Sequence, residues 1–141
     1  MSVERFLDTN LFIYQLEATD ERKAKIAGEL IREGIASGNA CISFQVVQEC
    51  LNTIRRKADV PLDVADSRRY LEAVLRPLWQ VMPDMELYHR TLDLQERYRF
   101  GFYDSMIVAA AIGAGCRYLY TEDLQHGQRV DRLRIENPFR A

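Results

Sequence analysis

Short, largely apolar runs alternate along this chain with longer stretches in which apolar residues recur every three or four positions. Runs of the first kind mark buried strands and stretches of the second kind mark amphipathic helices. Their alternation selects a parallel sheet covered by helices. Val3 to Leu7 is the first run, and it ends in the turn-forming Asp8-Thr9-Asn10 before a helical Leu11 to Gln15. From Asp20, a good N-cap, Ala24, Ile26, Ala27, Leu30, Ile31 and Ile35 keep helical spacing until Gly38 stops them. Ala40 to Ser43 reads as the second strand, and Val46, Val47, Cys50, Leu51 and Ile54 share one helical face through Lys57. Pro61 breaks the chain, Asp63 caps a helix through Leu75, and Leu78 to Met82 is the third strand. Asp84 caps a helix carrying Leu87, Tyr88, Thr91, Leu92 and Tyr98, which Gly101 separates from an Ala-rich helix, Tyr103 to Ala114. Arg117 to Thr121 is the fourth strand and Leu133 to Glu136 a fifth. The expectation is one domain over residues 1–141, a three-layer α/β/α sandwich with a central parallel sheet of four to five strands.

Such a domain needs no staple. With 141 residues, 48% of them apolar, one core buries roughly two-thirds of the unfolded surface. Cys41, Cys50 and Cys116 are odd in number, contain no C-x-x-C pair, and read as buried thiols of a reducing compartment. The longest apolar run, Met106 to Ile112, falls well short of the about 20 residues of a membrane span. Met1-Ser2-Val3-Glu4-Arg5 has no apolar signal region. A cytoplasmic protein with no membrane association is expected. The net charge of −2 excludes a strongly basic nucleic-acid binder, yet 16 of the 19 cations are arginine. Arg55-Arg56-Lys57 and Arg68-Arg69 cluster mid-chain, and Arg129, Arg132, Arg134 and Arg140 crowd the C-terminal part. Clusters of this kind suit a solvated helix face or a phosphate backbone equally.

Ligands of open parallel sheets bind beyond the carboxyl ends of the strands, and four acidic residues fall near that edge. Asp8 directly follows the first strand, Asp123 stands two residues past Thr121, Asp104 opens the Ala-rich helix, and Glu49 lies about a turn into the helix after the second strand. Singly, each has an ordinary role in a turn, at a helix N-terminus or on a solvated face. Gathered within ~4 Å, they repel by about 4 kcal/mol per pair at an effective dielectric near 20, so convergence demands a cation. Oxygen-only ligands favour Mg²⁺ or Mn²⁺, ions suited to phosphate chemistry. Asn10, Ser105 and Thr121 stand beside Asp8, Asp104 and Asp123 in sequence and are candidates to position them by hydrogen bonds.

Leu7-Asp8-Thr9-Asn10, Val47-Gln48-Glu49, Phe102-Tyr103-Asp104-Ser105 and Thr121-Glu122-Asp123, in this order and across nearly the whole chain, resemble the PIN-domain ribonucleases. The likeness is greatest to the VapC-type toxins of bacterial and archaeal toxin–antitoxin modules. It implies a metal-dependent endoribonuclease in which Asp8, Glu49, Asp104 and Asp123 are the catalytic, metal-holding quartet, with Asn10, Ser105 and Thr121 as polar support. It further implies Mg²⁺, with Mn²⁺ as substitute, an RNA substrate, a cognate antitoxin and a homodimer. A metal-activated water would attack phosphorus, leaving 5′-phosphate and 3′-hydroxyl ends. Glu122 beside Asp123 is a second candidate for the last carboxylate. The same family also contains housekeeping nucleases of RNA processing, and its fold serves as a non-catalytic RNA- or protein-binding module.

Rival chemistries lack residues. A haloacid-dehalogenase-like phosphatase needs an Asp where Asn10 stands, and both it and a receiver domain need a later lysine, whereas none follows Lys57. His89, mid-helix, and His126, in the loop Gln125-His126-Gly127, do not form the acid–base pair of a metal-free ribonuclease. His126, Arg55, Arg56 and Lys57 are candidate RNA contacts. Tyr14, Phe100, Phe102 and Tyr103 could stack on bases, but most of them are expected in the core.

Overall fold

β1 (Arg5–Leu7) is the strand from which the sheet grows in both directions. The computed structural model describes residues 3–17, 19–56 and 62–140. With β2 (Ala40–Ser43), β3 (Trp79–Val81), β4 (Tyr118–Tyr120), β5 (Arg129–Val130) and β6 (Leu133–Glu136), β1 forms one sheet in the order β3-β2-β1-β4-β6-β5. All pairings are parallel except β5 with β6. Phe6, Ile42, Leu119 and Ile135 are fully buried, as expected of strands covered on both faces.

The chain moves from β1 through β2 to β3 on one side and then returns to place β4 on the other. Right-handed crossovers running in opposite directions put their helices on opposite faces, which makes the sandwich. Between β1 and β2 lie α1 (Thr9–Leu16) and α2 (Glu21–Ser37); α3 (Phe44–Arg56) follows β2, and α6 (Met85–Tyr98) and α7 (Phe102–Gly113) precede β4. The aspartate caps act as read from the sequence. Asp20 accepts from Lys23 N, Asp63 from Asp66 N and Asp84 from Leu87 N, while Gly38 closes α2 with φ 71°.

Two expectations change. The sheet has six strands rather than four to five and is not wholly parallel, because β5 folds back on β6. That strand has only two residues, too few to carry a periodic signal. Second, the helix from Asp63 does not stop at Leu75. α4 (Val64–Tyr70) runs into a π-helical stretch, Leu71–Leu75, and then a short turn, α5 (Arg76–Leu78). The wider π turn lets the chain stay helical up to Pro77, which lacks an N–H and would clash inside a regular α-helix. The expected helix end at Lys57 and the break at Pro61 lie outside the described residues, and α3 is described to Arg56.

α2 approaches the sheet through Gly34, where an added Cβ would stand 2.6 Å from Ala40 Cβ. At Gly28 the nearest neighbour of an added Cβ is the far end of the Arg32 side chain, at 3.0 Å, which can move. Gly28→Ala should therefore stabilise the protein by about 0.5–1 kcal/mol through helix propensity. Gly34→Ala gains the same propensity but must push α2 off β2, a net loss of about 1–3 kcal/mol. Urea unfolding of the two variants should show opposite signs.

Candidate active site

The strand order reverses beside β1, so the carboxyl ends of β1 and β4 open side by side into a crevice, the place where α/β sheets bind ligands. Asp8 N donates to Tyr120 O (3.0 Å), locking the two strand ends together. Asp8 itself is 6% exposed. Its Oδ1 accepts from Thr9 N (2.7 Å) and its Oδ2 from the Thr121 hydroxyl (2.8 Å). These bonds favour the carboxylate but do not offset its loss of water. Burial, abetted by the charges of Asp123 and Glu49, pushes the Asp8 carboxyl up to about 7.

Asp8, Glu49, Asp104 and Asp123 line one cleft of about 520 Å³. They come from the end of β1, the middle of α3, the first turn of α7 and the loop after β4. Glu17, at the end of α1, lines it as well, and among the described residues no lysine or arginine does. Asp104 is also shifted upward, first by burial and then by Asp123. The cleft is thus a crowd of carboxylates with no cation among its described lining residues to balance it.

The polar support is crossed relative to the sequence order. Asn10, two residues after Asp8, gives its Nδ2 to Asp123 Oδ2 (3.2 Å). Thr121, two residues before Asp123, gives its hydroxyl to Asp8 while accepting from Asp123 N (3.1 Å). Each loop holds the other's carboxylate, so the gap between β1 and β4 is stitched twice. Ser105 makes no such bond: it is fully buried and its hydroxyl has no partner. Successive helix residues point about 100° apart, so with Asp104 on the cleft, Ser105 turns inward. Thr9, which the sequence singled out only as part of a turn, donates its hydroxyl to Glu49 Oε1 (2.7 Å) and fixes that side chain from β1's end.

Other candidate residues lie elsewhere. Arg55 is exposed on α3 and donates to Leu62 O (3.3 Å). Arg56 is the last residue of α3, and Lys57 is outside the described residues. His126 accepts from Asn137 N at Nδ1 (3.0 Å), pinning its loop to the strand end after β6, and does not line the cleft. His89 is exposed on α6. Tyr14 and Phe100 pack against the core as expected. Phe102 and Tyr103 do not: they are 37% and 64% exposed, because α7 begins at the cleft edge before it enters the core. Tyr103 lines the cleft beside Gln45, whose Nε2 donates to Tyr103 O (3.2 Å).

The donor set fits a hard divalent cation. The described lining of the cleft offers oxygen donors and no histidine or cysteine, carboxylates foremost, and two amide oxygens, Asn10 Oδ1 and Gln45 Oε1, are buried there without a donor among the described residues. Among the described residues no three acidic, histidine or cysteine side chains stand close enough to enclose an ion unaided. The carboxylates share one cleft without converging on a single point.

The PIN domain profile matches residues 5–133, and the chain belongs to that family. Among solved structures it is similar to DNA-bound VapBC from Salmonella typhimurium, at 22% identity and TM-score 0.67 over 96% of this chain and 98% of that one. It is also similar to a toxin–antitoxin complex from Klebsiella pneumoniae, at 16% identity and TM-score 0.65 over the same shares. A third likeness is to VapC20 of Mycobacterium tuberculosis, a sarcin-ricin loop cleaving toxin, at 19% identity and TM-score 0.61 over 85% of this chain and 90% of that one. No curated protein sequence matches the chain. Among the described residues no helix is long and apolar enough to cross a membrane.

The elevated Asp8 carboxyl predicts a pH dependence. The folded protein binds this proton more tightly than the unfolded chain, whose value is 3.8. The stability it contributes is complete below about pH 4 and is lost as pH rises through about 7. In chelator, the melting temperature of Asp8→Asn should exceed that of wild type by several degrees at pH 8 and by little at pH 4. Each tenfold difference in proton affinity is worth about 1.4 kcal/mol. Parallel melting curves for the two proteins across that range would contradict the burial of this charge.

Proposed function

We propose that this chain is a divalent-cation-dependent endoribonuclease and the toxin of a toxin–antitoxin module. The observation that carries the reading is a cleft on a PIN-family fold lined by carboxylates from four segments, with no lysine or arginine among its described lining residues. The proteins to which the fold is similar include toxin–antitoxin complexes and a toxin that cleaves the sarcin-ricin loop. Asp8, Glu49, Asp104 and Asp123 would hold Mg²⁺, or Mn²⁺ in its place. When bound, the ion supplies positive charge at the scissile phosphate and a water of lowered pKa.

The remaining work falls to the protein. Thr121, Asn10 and Thr9 hold Asp8, Asp123 and Glu49 in place before substrate arrives, so no reorganisation is needed during reaction. An acidic cleft repels a polyanion, so RNA must be gripped elsewhere. Arg55 and Arg56 of α3, with Lys57, are proposed for that role, and His126 in the loop after β4 joins them. Phe102 and Tyr103 offer aromatic faces at the rim on which unpaired bases stack. The antitoxin is proposed to place an arginine or lysine among the carboxylates, supplying the charge that the metal would. A second copy of the chain would give the antitoxin two equivalent sites.

Purified protein should cut single-stranded or structured RNA in Mg²⁺ or Mn²⁺ and stop in EDTA. Asp8→Asn and Asp104→Asn should each lower kcat at least a hundredfold with the fold retained by circular dichroism. Cleavage undiminished in excess chelator would overturn the mechanism. A small DNA-binding protein encoded beside this chain, when co-purified, should silence the activity; a complex as fast as the free protein would return the chain to the housekeeping nucleases.

The exposed rim gives a separate prediction. Base–aromatic stacking is worth about 1–3 kcal/mol per base, so Tyr103→Ala should raise KM for RNA by about 5- to 100-fold with kcat little changed. Tyr103→Phe should behave as wild type. An equal loss from both substitutions would show that the hydroxyl, not the ring, is used.

A further inference from the structure

Glu122 stands next to Asp123, yet the two carboxylates have different surroundings. Asp123 lines the cleft; Glu122 turns behind it and does not. The Tyr14 hydroxyl donates to Glu122 Oε1, and Lys23 Nζ donates both to Glu122 Oε2 (3.0 Å) and to the Tyr14 oxygen (3.2 Å). The ammonium also lies over two rings, 4.8 Å from the Tyr14 centroid and 5.6 Å from that of Phe139. Those rings meet edge to face at 5.0 Å. The ion pair is mostly sheltered, with side-chain exposures of 28% for Lys23 and 24% for Glu122. Four segments meet here: α1, α2, the loop after β4 and the stretch after β6.

This cluster bears on a mechanical problem at the cleft. Asp123 is exposed, and of its own side chain only one bond is seen, from Asn10. It shares the cleft with Asp8, Glu49 and Asp104, so like charges crowd together there. With no lysine or arginine among the described cleft residues, this crowding of like charge favours an outward displacement of the Asp123 loop. In front, Thr121 holds the loop through the Asp123 amide (3.1 Å). Behind, Lys23 and Tyr14 anchor the neighbouring Glu122 carboxylate to α2 and α1 through a half-buried ion pair and hydrogen bonds, which fixes the loop's position.

We propose that Lys23, Tyr14 and Glu122 are positioning residues that hold the Asp123 loop against this repulsion and so set the affinity of the cleft for a divalent cation, Lys23 and Glu122 acting from outside the cleft and Tyr14 from its wall. The proposal rests on the nuclease reading above for its metal, but its backbone part stands alone. The two adjacent carboxylates then have separate roles, Asp123 facing the cleft and Glu122 anchoring the loop that carries it.

The test uses Lys23→Met, Glu122→Gln and Tyr14→Phe, with Lys23→Arg as the conservative variant and exposed Lys25→Met as control. Mn²⁺ affinity is read from the electron paramagnetic resonance of the free ion, and the Asp123 amide from hydrogen exchange in chelator. Lys23→Met and Glu122→Gln should weaken Mn²⁺ binding about tenfold or more, the range for loss of groups that orient metal-holding side chains. The double variant should be little worse than either single one, since the pair acts as a unit. Asp123 amide exchange should speed up in both, Tyr14→Phe should follow more weakly, Lys23→Arg should recover most of the affinity, and Lys25→Met should match wild type. Variants that melt earlier but keep wild-type Mn²⁺ affinity and amide protection would overturn the proposal and leave a purely structural clamp. A wild-type protein that takes up no Mn²⁺ would overturn the nuclease reading and the metal part of the proposal. In that case the exchange of the Asp123 amide still decides whether the cluster positions the loop.

Discussion

A carboxylate buried at the end of the central strand is the constraint around which this molecule is built. Removing a charge from water is costly unless hydrogen bonds or an opposite charge replace the lost hydration. Among the described residues Asp8 receives two hydrogen bonds and no ion pair, and its carboxyl is left at about 7. The surrounding structure is what keeps it there. β1 is paired on both sides, Phe6 and Leu7 are locked in the core, and the reversal of strand order brings β4 and its Thr121 alongside. The two hydrogen bonds offset only part of the cost of burial, so a proton or a cation brought to Asp8 would be held there, which is the physical case for a cation.

The division of charge over the protein follows from the same constraint. The chain is rich in arginine, yet the described lining of the cleft has none. Several arginines are instead tied to acidic neighbours on the surface, such as Arg5 to Glu33 and Arg76 to Glu72. Lys23 is the cation that comes near the cleft, and it is engaged behind Tyr14. A positive side chain inside the cleft would pair with Asp8 or Asp104 and compete with a metal. Keeping it out makes the site available to a metal, and equally to a blocking arginine from a partner.

The helices were legible because their signals are local: aspartates at N-caps, glycine after α2, and apolar residues at helical spacing. β5 and the π-helical stretch were not, since one is too short for periodicity and the other depends on how Pro77 is accommodated in three dimensions. In the cleft, Asp8, Glu49, Asp104 and Asp123 could be picked out by their places at strand and helix ends. Their partners could not. Proximity in sequence suggested Asn10 for Asp8 and Thr121 for Asp123, whereas the parallel pairing of β1 with β4 crosses those bonds. Ser105 fell on the wrong side of its helix, and Glu17 reached the cleft only because α1 ends there. Phe102 and Tyr103 looked like core because aromatic residues usually are; where a helix enters the core is a tertiary fact that composition does not carry.

Whether the cleft's carboxylates form a cation site decides the rest. The direct measurement is a crystal structure of the protein grown or soaked in Mn²⁺, with data collected for the anomalous signal of manganese. The expected result is an anomalous peak in the cleft, bonded to Asp8 and Asp104 and absent in Asp8→Asn crystals. A cleft without a manganese peak, in crystals whose carboxylates are free of lattice contacts and above pH 7, would contradict the cation site.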